Sequence, residues 1–200
     1  MKKTKNKKNN LLKSNYIQSW KYIKETSTFI WVITGLFLIF ALIGFFIPIP
    51  DVLEKTILDY IREILEKTSG MSTGQLILFI FFNNLQAGFF GLIFGFLIGI
   101  FPLILTIANG YVLGYVASVS VASEGAGSLL SLLPHGIFEL PAIIISLAMG
   151  LKFGMFVFQK DKEKSFKKFF INSLRVFVFL ILPLLIIAAI IEGGLIFFGR

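Results

Sequence analysis

Residues 75–121 read QLILFIFFNNLQAGFFGLIFGFLIGIFPLILTIANGYVLGYVASVSV, without one Asp, Glu, Lys or Arg. About 20 apolar residues suffice to cross a bilayer as a helix, so this stretch predicts two spans joined tightly. The break is placed at Gly99 and Pro102, where the backbone is freest and where a helix loses a donor. The first of the two spans carries Ala87, Gly91, Gly95 and Gly99 in i, i+4 steps, and the second continues the spacing with Gly110 and Gly114. In lipid, apolar side chains gain little by meeting one another, so a stripe of small residues marks a close helix crossing. The partner is another span or another chain.

The rest of the composition agrees with a lipid environment. Hydrophobic residues make up 56% of the 200, charged residues 15%, and mean hydropathy is +0.85. A soluble domain has ~25% charged residues. Phe occurs 24 times, His once and Cys never, which excludes disulfides, thiolate metal sites and Cys nucleophiles. No metal site, cofactor or catalytic residue is assigned, and the chain is expected not to be an enzyme.

The formal charge of +8 is unevenly placed. Residues 1–28 carry +7, residues 51–70 carry −2 and residues 152–175 carry +5. Basic segments beside membrane spans stay in the cytoplasm. The Lys runs therefore read as topogenic rather than as a nucleic-acid site, for which Arg-rich or aromatic readout elements are missing. Residues 1–27 are expected to be a basic cytoplasmic tail, disordered first and then helical around residues 11–23 on the inner membrane surface. The apolar run after them starts too late and is too long for a signal peptide and reads as a retained first span.

Working outward, five spans are expected at 28–49, 75–99, 102–121, 134–158 and 174–198, forming one transmembrane domain from 28 to 200. Pro48 and Pro50 end the first. Residues 51–67 place Leu53, Ile57, Ile61, Ile64 and Leu65 at helical spacing against a charged face, which predicts an amphipathic helix on the outer surface. Residues 125–133 form a small-residue link, either a plain outer loop or a dip into the membrane. Residues 160–168 are expected as the inner loop. The fold class is all-α, a polytopic bundle with the N-terminus cytoplasmic and the C-terminus outside.

Five polar residues fall inside these spans: Asn83, Asn84, Asn109, His135 and Glu139. Such groups face the bundle interior and need partners. His135 and Glu139 are four apart, on one helix face, between Pro134 and Pro141. Pro141 leaves the carbonyl of Ile137 without its helical donor. At ~1.5 Å of rise per residue, Asn83 lies roughly 12 Å and Glu139 roughly 8 Å below the outer end, while Asn109 falls in the inner half. Three arrangements are open: a structural lock between spans, an ion or transport site at Asn83, His135 and Glu139, and a hydrolase, for which Ser128 and Ser131 have no motif around them.

Phe82-Asn83-Asn84, the Gly ladder, Gly99-Ile100-Phe101-Pro102, Asn109-Gly110, Leu133-Pro134-His135-Gly136-Ile137-Phe138-Glu139 and Gly150-Leu151-Lys152-Phe153-Gly154 occur in this order. The order resembles the stage II sporulation protein M family of small membrane proteins, over about residues 24–200. The resemblance implies a helical membrane fold. It also implies a non-enzymatic scaffold or assembly partner, which in endospore formers recruits peptidoglycan-degrading enzymes. The expected partners are the lipid bilayer, other proteins and a second copy of the chain, with nucleic acid excluded. A small channel or transporter is the alternative; an inverted-repeat form of it would need two chains, since no internal duplication is visible.

Overall fold

In a computed structural model of the chain, the backbone is described for residues 2–198 and side chains for residues 11–130 and 136–195. Among the described residues 91% are helical and none is in a strand. The helices are α1 (Lys2–Glu25), α2 (Ser27–Phe46), α3 (Asp51–Thr68), α4 (Thr73–Ile93), α5 (Ile100–Glu124), α6 (Leu133–Gly154), α7 (Lys162–Val176) and α8 (Leu182–Phe198). Five helical stretches are long and apolar enough to cross a membrane: Ser27–Phe46, Thr73–Phe96, Ile100–Glu124, Gly136–Phe158 and Lys162–Leu195.

The local signals explain most boundaries. α2 stops at Phe46, before Pro48 and Pro50, and Asp51 and Glu54 then occupy the first turn of α3, where the helix dipole favours acids. Ser72 caps α4 reciprocally with Gln75. Between α4 and α5 the chain tightens into a 3-10 turn, Phe94–Phe96, and reverses through Ile98 (φ 56°) and Gly99 (φ 71°). The break thus begins earlier than expected, and Gly99 lies in the turn itself. Pro102 falls in the first turn of α5, where a missing N–H costs no helical bond. The link after α5 is a 3-10 helix, Ala126–Leu132, rather than an irregular loop.

Two segments depart from expectation. The tail is helical from Lys2 to Glu25, not only around residues 11–23. The expected inner loop at 160–168 shortens because α7 already begins at Lys162, where the Asp161 carboxylate accepts from the Lys164 amide at 3.0 Å. From there the helix runs through a π-turn, Phe177–Ile181, into α8. The wider turn lies directly before Pro183, which cannot donate to the ladder, and re-aims the bonds around it.

α6 is the most enclosed of the five stretches and touches α2, α4, α5 and α8. The small residues set these crossings. Gly95 abuts the backbone of Gly150, and Gly154 abuts the backbones of Gly95 and Gly99. Gly91 faces the Leu147 side chain. The second set turns the other way: Gly110 and Gly114 lie on the backbones of Phe37 and Ala41 in α2, and Gly44 of α2 on Tyr111. Ala87 is half-buried against the core without such an approach. The Ser146 hydroxyl, fully buried in α6, donates to the Gly88 carbonyl at 2.7 Å and ties α4 to α6 by a hydrogen bond.

Candidate functional site: a polar chamber and a lysine clasp

α4, α5 and α6 converge on a chamber of about 270 Å³, lined among others by Asn83, Asn84, Asn109 and Glu139. Asn83 and Asn84 come from α4, Asn109 from α5 and Glu139 from α6, while Phe37 of α2 and Tyr60 of α3 add aromatic wall. Glu139 is buried at 5% exposure, and Asn83 and Asn109 are exposed. α4 and α5 pack on α6 more than on each other, which leaves the space between them. The Asn109 amide donates to the Leu105 carbonyl of its own helix at 2.8 Å.

Asn109 is not separated from the others by depth, as the sequence count had it. The turn shared by α4 and α5 is the better origin. Asn83 precedes the end of α4 at Ile93, and Asn109 follows the start of α5 at Ile100, by nearly equal lengths of helix. At ~1.5 Å per residue both stand roughly 14–15 Å from the turn. The side chain of His135 lies outside the described residues, as do those of Ser131 and Pro134. Pro141 sits inside α6, which runs unbroken through it.

α3 is amphipathic and reaches the chamber through Tyr60. The Tyr115 hydroxyl of α5 donates to the Glu54 carboxylate at 2.8 Å, and Ile57 is buried. Most of its other apolar residues, including Val52, Leu58 and Leu65, are exposed.

A second polar site stands at the opposite ends of α2 and α6; in the sequence its key residue, Lys152, counts towards the basic segment and belongs to the Gly150–Gly154 element of the family resemblance, with no partner assigned to it. Lys152 is 8% exposed. Its ammonium donates to the Glu25 carbonyl at 2.9 Å and to the Thr26 hydroxyl at 3.0 Å, and lies 4.1 Å from the centre of the Tyr22 ring. A cation here satisfies a C-terminal carbonyl of α1 and complements that helix's dipole. The Thr26 hydroxyl in turn donates to the Tyr22 carbonyl at 2.7 Å. Burial pushes the Tyr22 hydroxyl up to about 12, so it stays neutral; it faces the buried Ser173 hydroxyl without good hydrogen-bond geometry. Next to it Arg175 donates to the Asn15 side chain at 3.0 Å. α1 and α7, the two most basic segments, are thereby packed together at one end of the bundle. The findable signal was a lone Lys inside an apolar run, between Gly150 and Gly154.

An all-helical bundle with five helices long and apolar enough to cross a membrane, bearing carboxamides and a carboxylate on those helices, is the architecture of a helical membrane protein. The family model of stage II sporulation protein M matches residues 33–195, and the chain belongs to that family. It is also 30% identical over 175 residues to an uncharacterized protein of Methanocaldococcus jannaschii, covering 84% of this chain and 78% of that one. No solved structure matches.

Proposed function

We propose that the chain is a non-enzymatic assembly partner in the cell membrane, docking other membrane protein through the outward face of α4. The observation that carries this is a pair of exposed amides, Asn83 and Gln86, midway along a membrane-length helix. They lie in a groove of about 430 Å³ with Met71, Gln75, Leu78, Phe79 and Phe82. Hydrocarbon offers an amide no hydrogen bond, whereas a partner helix offers one worth ~0.6–2 kcal/mol. The positive ends of α1 and α7 support an orientation with both inside and α3 outside.

A photo-crosslinking residue at Phe82, in native membranes, tests the reading. A discrete protein adduct is expected, weakened by Asn83→Leu with Gln86→Leu and absent from a probe at Leu38, exposed on α2. Lipid adducts alone at both positions would overturn it. A second reading, a small channel or transporter, is supported by the chamber reaching Glu139.

A further inference from the structure

The polar chamber lies beside an apolar groove of about 340 Å³, lined by Ala41, Leu42, Phe45, Phe46, Gly114 and Ala117, and the two share Leu113 and Leu140 as walls. On its other side Asn83 lines both the chamber and the outer groove of α4. A hydrogen-bonding compartment thus adjoins a purely apolar one at the surface of a membrane protein. We infer that chamber and groove together bind one amphiphile, with a neutral, hydroxyl-rich head such as a sugar or glycerol in the chamber and an alkyl chain in the Ala41–Ala117 groove.

The head chemistry follows from the lining groups. Carboxamides donate and accept, a carboxylate accepts, and the Tyr60 hydroxyl does both. No Lys or Arg lines either space among the described residues, so the walls offer a phosphate head no Lys or Arg to pair with. An ammonium head only donates, so it can accept nothing from the carboxamide N–H groups of the Asn residues. Hydroxyls use both kinds of group at once. Phe37 and Tyr60 add ring surface for the C–H faces of such a head. The apolar walls of the neighbouring groove have no polar group to fix a chain, so they set length and the chamber sets identity.

This inference does not rest on the assembly reading. It shares the chamber with the channel reading but requires binding alone.

The chain has no Cys, so Ala87→Cys, on the chamber wall, gives a single reporter thiol. The variant is placed in phosphatidylcholine nanodiscs, and its reaction with a small maleimide is timed with n-decyl β-glucoside, decyl phosphate or decyltrimethylammonium at equal sub-micellar concentrations. The glucoside is expected to slow labelling saturably by about tenfold, with little effect from the other two. Leu42→Trp, which fills the groove, should remove that protection without changing the unprotected rate. Equal protection by all three would mean the chain binds and the chamber does not choose, and would overturn the inference; so would protection by none, or strongest protection by the ammonium. Native mass spectrometry of the wild-type protein with the glucoside and the phosphate gives the same comparison independently of the variant's folding. The photo-crosslink at Phe82 is read separately, so either idea can fail alone.

Discussion

Gly95, in the turn that ends α4, and Gly150, in α6, touch backbone to backbone with no room for a methyl group between them. Gly95→Ala should therefore force the helices apart, costing about 1–3 kcal/mol by overpacking. Gly91→Ala meets the methyl ends of the flexible Leu147 and Leu105 side chains rather than backbone and should cost less. Gly35→Ala has nothing within 4 Å and should be neutral or slightly stabilising. Melting temperatures in detergent rank the three variants; identical values would contradict the close crossing.

Topology is checked with single cysteines at Tyr60 and Lys164. A membrane-impermeant maleimide added to intact cells should label position 60 and reach position 164 only after permeabilisation. Labelling of both from one side would dismiss the orientation.

Lys152→Met keeps the length of the side chain and removes its donors. The Glu25 carbonyl and Thr26 hydroxyl lose a charged partner, and hydrogen bonds to charged groups contribute about 1.5–3 kcal/mol. The junction of α1 and α2 should become the first site cut in limited proteolysis, while the outer half of the bundle stays resistant. An unchanged cleavage pattern would show the clasp to be dispensable.

Glu139 separates a lock from a charge-dependent site. As part of a lock, Glu139→Gln should be mild, since an amide still hydrogen-bonds, and Glu139→Leu should cost about 1–3 kcal/mol by leaving polar neighbours unpaired. For a transport site, Glu139→Gln should abolish flux in vesicles with the melting temperature unchanged. The two variants, each measured for melting and for flux, decide between these.

The spans were legible because apolar runs of membrane length are interrupted by the residues that end helices, as at Pro48, Pro50 and Gly99. Asn83, Asn84 and Glu139 were legible as one group because polar side chains are rare in such runs and their heights could be counted. Asn109 was misplaced because the count began at Pro102 and from different ends of the two spans; the common turn was not yet located. The clasp was hidden for another reason. That Lys152 opposes the end of α1 depends on Gly150 and Gly154 docking on Gly95 and Gly99, and no spacing along the chain encodes which elements then meet. The lead-in of α7 read as a loop because its charge density resembles solvated sequence, whereas its Phe166 packs on Phe153 and Phe156 at the end of α6.

α6 bears Lys152 near one end and Glu139 towards the other, joined by helix that stays unbroken through Pro141. It is also the element against which α2, α4, α5, α7 and α8 all pack. Because the backbones at Gly150 and Gly154 dock on those of Gly91, Gly95 and Gly99, the rod is seated at one register against its neighbours. The distance between clasp and chamber is thereby a fixed length of a single helix, a ruler rather than a hinge.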